Sequence, residues 1–191
     1  MKIFIQLVTF FILGSVQTLA VATEKGAALS PINWASPKSI KEHMVYKLVS
    51  VKGEQTFAPN VVLSDPTLAE NFSEIYIVRS ENFEDGEFFA LFVTASYTDS
   101  EWRNYNKATT SKDDVLDIST LKKTELGCDN KNLCNYEEQL AISLGFLEIV
   151  DSMSTHLELI LDNTSSSNER VDHIKIPGSY FLAIMRTIRA E

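Results

Sequence analysis

The most apolar stretch beyond the first 22 residues is Phe88 to Tyr97, FFALFVTASY. Read at period two, Phe89, Leu91, Val93, Ala95 and Tyr97 share one face, and Phe88, Ala90, Phe92 and Thr94 share the other. A strand apolar on both faces belongs inside a sheet covered from both sides, so this stretch is expected to be the middle strand. Asn135 to Leu144 also alternates, with Tyr136, Glu138, Leu140, Ile142 and Leu144 on one face and Glu138 its only polar member. After Gly145 the period changes, and Phe146, Leu147, Ile149, Val150 and Met153 fit a short amphipathic helix. A single helix over Glu137 to Met153 competes with this reading; Gly145 at the change of period favours strand followed by helix.

The remaining chain supplies further short elements. Met44–Val51 and Ile75–Arg79 are β-rich. Phe57–Leu63 reads as a second extended piece broken by Pro59. Asp65 is a good N-cap and Pro66 a good first helical residue, with Leu68, Ala69 and Phe72 on one face, which predicts one or two helical turns. Glu84-Asp85-Gly86-Glu87 carries an Asp-Gly turn signal. Trp102–Thr109 is strand or irregular and is expected to form a hairpin with Val115–Gly127 across the polar turn Ser111–Asp114. Leu157–Leu161 and Val171–Ile176 form a second hairpin around the polar loop Asn163–Glu169. Pro177-Gly178-Ser179 opens a closing helix with Tyr180, Phe181, Ile184 and Ile188 on its apolar face and Arg186 and Arg189 near its C-terminus. Together these predict a single α+β, mostly antiparallel β domain, a sheet or sandwich over 43–191 with the C-terminal helix packed on it. Residues 23–42, with Pro31 and Pro37, read as a linker or loosely tied arm in which Trp34 tucks against the domain.

The N-terminus adds a compartment. Lys2 precedes an apolar run from Ile3 to Val16, and Ala20-Val21-Ala22 is a small-x-small site. That is the layout of a secretory signal peptide over 1–22, cleaved after Ala22 with Ala20 at the other small position, so that the mature chain starts at Thr23. An uncleaved anchor is the alternative, and the run is short for a span of about 20 residues. No cysteine follows the run, which excludes a lipid-anchored mature N-terminus. The net charge is −9, and removing the +1 of Lys2 makes the mature value −10. Scattered acidic residues keep the surface soluble and argue against nucleic acid or an anionic membrane as partner. The only two cysteines, Cys128 and Cys134, bracket a polar turn. In an exported chain they are expected to pair as a disulfide; a labile redox switch and free thiols are the other readings.

From Tyr97 onward the chain resembles an uncharacterised family of small bacterial exported proteins. Trp102, Ala108, Gly127-Cys128, Cys134 followed by Tyr136-Glu137, the strand Leu140–Leu144, and Ile176-Pro177-x-x-Tyr180 carry the resemblance. That family usually has a glycine in the turn near Lys112-Asp113-Asp114, which this chain lacks. The resemblance implies a disulfide-clamped antiparallel fold in the periplasm or outside the cell, with no known activity and no catalytic residues.

No assembled catalytic set is legible. His156 and His173 fall on the two arms of one predicted hairpin, and a metal there needs a third ligand such as Glu158 or Asp172; His43 stands apart. There is no Gly-x-Ser-x-Gly, and Ser179 at a helix start is expected to cap rather than attack. Glu137 and Glu138 point to opposite faces of a strand and cannot act together. Asn71-Phe72-Ser73 and Asn163-Thr164-Ser165 match glycosylation acceptors, relevant only in a eukaryotic secretory route. The expectation is a non-catalytic envelope module that binds another envelope protein or a small ligand, with no cofactor and no metal. The alternative is a small envelope hydrolase using His156 or His173 with a carboxylate.

Overall fold

The computed structural model describes residues 31–50, 53–82, 86–129, 133–163 and 171–187. The signal peptide with Ala20 and Ala22, the first part of the arm, the Glu84-Asp85 turn, the middle of the cysteine loop, most of the Asn163–Glu169 loop, and Ile188 and Arg189 lie outside these residues. Ile32–Glu191 forms one compact unit.

Two antiparallel sheets build it. The larger runs in the order β1 (Val45–Ser50), β2 (Gly53–Phe57), β3 (Phe72–Asn82), β4 (Gly86–Asp99), β8 (Cys134–Leu144), β7 (Ile118–Cys128). The smaller runs β10 (Val171–Pro177), β9 (His156–Asp162), β5 (Lys107–Thr110), β6 (Val115–Leu116). One buried cluster takes Ile75 and Ile77 from β3, Leu91 and Val93 from β4, Leu140 and Ile142 from β8, and Leu157, Leu159, Leu161, Ile174 and Ile176 from the smaller sheet. The alternation read in the sequence is thus the alternation between core and outside, and β4 sits between β3 and β8 as the middle-strand reading requires.

Three helices complete the unit: α1 (Pro37–Glu42), α2 (Phe146–Ser152) and α3 (Gly178–Met185). The strand gives way to helix at Gly145, as the change of period indicated. The helix does not hide all its apolar residues, however: Ile149 is buried while Phe146 and Leu147 are exposed. Helix α3 buries Tyr180, Phe181, Ala183 and Ile184, and burial of such side chains contributes about 1.5–3 kcal/mol each. Its first residue must be glycine, because a Cβ on Gly178 would stand 2.7–2.8 Å from the backbone oxygens of Ser152, Met153 and Thr155.

Several sequence expectations need correction. Part of the segment read as a loose arm is helix α1, capped by the Ser36 side chain on Ser39 N–H, with Ile40 fully buried. Lys41 Nζ donates to Arg186 O at 2.6 Å, and Trp34 stacks on Tyr180 with ring centroids 6.4 Å apart. Ser179 caps nothing: its hydroxyl donates to Trp34 O at 2.5 Å, tying this segment to α3. Phe57–Leu63 is not one extended piece, since β2 ends at Phe57 and Val61–Ser64 is a 3-10 turn. Asn60 fixes that turn by accepting from Val62 N–H and Ile75 N–H and donating to Ser73 O. The helix expected after Asp65-Pro66 is a single 3-10 turn, Leu68–Glu70, because Phe72 is taken into β3.

The largest departure is at 102–127. Only Ala108↔Leu116 and Thr109↔Val115 pair as the expected hairpin. At Asp117 the chain leaves the smaller sheet, and Ile118–Cys128 pairs with β8 in the larger one. The turn before it uses Asp113 at φ 65°, a left-handed conformation that Asp tolerates better than most residues.

Candidate functional site

The first notable constellation is a buried charged node. Tyr97 near the end of β4 and Glu138 on β8 lie on the core face of the larger sheet, and Asp172 lies on the core face of β10. The connection Ser100–Asn106 runs between the sheets, with Asn104 in the left-handed conformation at φ 54°. It brings in Arg103, which is 4% exposed. Arg103 Nη1 donates to Tyr105 Oη at 3.0 Å, Asn71 Oδ1 at 3.1 Å and Asp172 Oδ2 at 3.4 Å. Its guanidinium lies 4.1 Å from the centre of the Tyr97 ring, its backbone N–H donates to Tyr97 Oη, and its carbonyl accepts from Asn163 Nδ2. Tyr105 donates to Asp172 Oδ2 at 2.5 Å.

Glu138 is fully buried beside this group. Its carboxylate accepts from Tyr97 O–H and from Asn104 N–H at 3.0 Å, and Lys123, directly across on β7, places Nζ 3.3 Å away. Lys123 also bonds Asn104 Oδ1 and stands 5.4 Å from the centre of the Trp102 ring. Trp102 in turn packs on Tyr136. Arg103 and Lys123 thus balance Asp172 and Glu138. A buried charge needs this pairing, since an unpaired one costs several kcal/mol.

The tyrosines of the node hold their protons. Burial pushes the Tyr97 and Tyr105 hydroxyls well above the ordinary tyrosine range, and their hydrogen bonds to Glu138 and Asp172 push the same way. Chemically the node joins the two sheets with most of its donors and acceptors engaged; among the described residues Arg103 Nε and Glu138 Oε2 are buried without a hydrogen-bond partner, the latter 3.3 Å from Lys123 Nζ as an ion pair. Asn71 and Asn163, the asparagines of the two glycosylation matches, both spend their side chains on Arg103. Glu137, on the opposite face from Glu138, accepts from Gln139 instead.

The cysteines form the disulfide Cys128–Cys134, directly opposite one another where β7 and β8 end, with Cα atoms 3.8 Å apart. With Glu125 they are the only cluster of three metal-capable side chains among the described residues, and bonded sulfurs offer no thiolate to a metal. A bond closing so short a loop stabilises by about 2 kcal/mol. Replacing both cysteines with serine is therefore expected to lower Tm by about 4–8 °C, read by thermal melting in oxidising buffer; an unchanged Tm would mean the bond clamps nothing.

His156 and His173 each lie 3.9 Å from Glu158 on the β9–β10 hairpin, but the three do not form a cluster of ligand atoms all within 4.8 Å of one another. These separations exceed hydrogen-bond length, and all three side chains face solvent, His173 most openly. Asp172, the other ligand considered, turns the opposite way into the Arg103 node. His43 bonds Ser39 O within α1 and joins neither.

The second constellation is the free side of β1, an edge strand of the larger sheet. Ala58 N–H donates to Ile77 O, so alternation makes Thr56↔Arg79 and Glu54↔Glu81 the hydrogen-bonded pairs of β2 with β3. Gln55 and Phe57 then bond β1 through Lys47 and Val45. The N–H and C=O groups of Tyr46 and Leu48 point away from the sheet, and no strand among the described residues pairs with them. The side chains there are apolar and open: Val45 is 61%, Tyr46 49% and Leu48 81% exposed. Nothing in the alternation of MVYKLVSV distinguished this strand from one paired on both sides; the exposure of three apolar residues is visible only in the fold.

Comparison with family models, curated proteins and solved structures finds no match to this chain.

Proposed function

We propose that this chain is a non-catalytic binding module of the bacterial cell envelope, exported by residues 1–22 and docking another envelope protein along β1. One observation carries the binding reading: no strand among the described residues pairs with the outward backbone donors and acceptors of β1, beside exposed Val45, Tyr46 and Leu48. Unpaired edges invite strand pairing, and proteins without a use for them cover or charge them. The only charge in this strand is Lys47. The most central ionisable groups, Arg103, Glu138 and Asp172, are engaged with one another's neighbours in the node and serve the scaffold. The export reading rests on Lys2, the apolar run and Ala20-Val21-Ala22, and the envelope setting on the resemblance over the C-terminal half.

Amine-reactive cross-linking in intact cells tests the binding reading. The expected result is a reproducible adduct with one envelope protein. Repeated recovery of the chain without an adduct would count decisively against it.

A further inference from the structure

The geometry points to a zinc site made by Glu125, Cys128 and Cys134, opened when the Cys128–Cys134 bond is reduced. It lies at the end of β7, at the opposite edge of the larger sheet from β1, and is independent of docking there. Residues three apart in a regular strand point to opposite faces. The register shift between Glu125 and Gly127 changes that, with Leu126 as the extra residue of a bulge. Glu125 comes to stand opposite Tyr136 and Cys128 opposite Cys134, and Tyr136 and Cys134 share one face of β8. Gly127 takes φ 136° in the bulge, a backbone conformation that favours glycine. Glu125 Oε1 is thereby brought to 3.4 Å from Cys128 Sγ, and the three ligand atoms all lie within 4.8 Å of one another. Zinc holds thiolate at about 2.3 Å and carboxylate at about 2.1 Å, so its tetrahedral ligand atoms stand about 3.6–3.8 Å apart. The carboxylate is already near that separation from Cys128, and rotation of the two freed sulfurs supplies the rest.

The strands stay paired without the bond. Just beyond it Asp129 N–H donates to Leu133 O at 2.7 Å, and Leu133 N–H donates to Asp129 Oδ1 at 2.9 Å. The surroundings favour a cation: burial raises the Tyr136 hydroxyl, and the charges of Glu125, Asp99 and Glu101 raise it further. Lys123, on the same face of β7, is ion-paired with Glu138. Glu125 and Cys128 are exposed, so the fourth position faces water and the ion exchanges. A dithiol reductant opens the site. Its thiolate attacks the exposed Cys128 Sγ, the S–S bond breaks, and Cys134 leaves as thiolate. The reductant's second thiol then displaces Cys128, so two electrons pass to the pair and the reductant leaves as its own disulfide. Its two protons end on the cysteines, and zinc displaces them on binding.

The test reduces the exported chain with a dithiol, desalts it under nitrogen and titrates it with cobalt(II). That ion reports thiolate ligands by a charge-transfer band in the near ultraviolet. The band is expected to saturate at one metal per chain and to disappear when zinc is added. The oxidised chain, and a chain with both cysteines replaced by serine, are expected to show no band. Glu125→Gln keeps both thiols and changes an exposed position; it is expected to weaken cobalt binding at least about tenfold. Zinc is also expected to slow alkylation of both cysteines, with far-ultraviolet circular dichroism unchanged by reduction. A reduced chain without the band, saturation with two chains per metal, equal binding by Glu125→Gln, or loss of the fold on reduction would each overturn the zinc site.

Discussion

Replacing Arg103 with methionine is expected to destabilise the protein by about 3–5 kcal/mol, the range for removing one partner of a buried ion pair. The substitution keeps much of the volume but takes the cation from beside buried Asp172 and removes donors to Tyr105 and Asn71 and the cation over the Tyr97 ring. The strain falls on the joint between the sheets, since Tyr97 belongs to β4 and Asp172 to β10. Urea unfolding with m-values reads the loss. A cycle with Asp172→Asn sharpens it: once Asp172 no longer carries a charge, loss of Arg103 costs less, and the two changes fall short of additivity by about 0.5–3 kcal/mol. A loss below about 1 kcal/mol for Arg103→Met would mean that the node does not hold the sheets together.

Alkaline unfolding is expected to be steep and to begin near pH 10. Tyr180 donates to Pro59 O at 2.7 Å, accepts from Ile77 N–H, and is fully buried, which keeps its hydroxyl protonated far above the ordinary range. Tyr105 is held the same way by burial and Asp172. In the unfolded chain these groups ionise near pH 10. Above that pH the unfolded state binds fewer protons than the native one, so stability is full below pH 10 and falls as pH rises. Each tyrosine contributes a slope of up to about 1.4 kcal/mol per pH unit, so the pair gives nearly 3, and Tyr97 adds in the same direction. Tyrosinate absorbance checks this. Of the six tyrosines, Tyr97, Tyr105 and Tyr180 are expected to ionise together, in step with loss of structure. Smooth titration of all six with the fold intact would contradict the burial of these hydroxyls.

The parts of the fold legible in the sequence are those fixed by local periodicity. Phe88–Tyr97 and Asn135–Leu144 alternate strongly enough to give the middle of the larger sheet and its neighbour, and the apolar spacing after Gly178 gives the closing helix. The Leu157–Leu161 and Val171–Ile176 hairpin was legible for the same reason. The sheet switch at Asp117 was not, because Val115 to Gly127 carries one continuous β-like pattern and only long-range pairing decides where it divides. Arg103 was missed because a lone arginine after Trp102 gives no local signal of burial. Its partners did leave a trace: Glu138 and Asp172 stand on faces otherwise filled by Leu140 and Ile142, and by Ile174 and Ile176. A carboxylate on a core face needs a buried donor, and searching for that donor leads to the segment between β4 and β5. The open edge at β1 had no such trace, since edge and inner strands differ in their neighbours rather than their composition.

Native mass spectrometry of the protein recovered from its own compartment addresses the central claim, an exported, oxidised module that holds a protein partner. The account predicts a chain beginning at Thr23, about 2 Da lighter than its reduced form, accompanied by one further polypeptide that is lost when Tyr46 is proline. A chain retaining Met1 with free thiols, or a cleaved chain carrying a metal or small-molecule mass and no polypeptide, would contradict it.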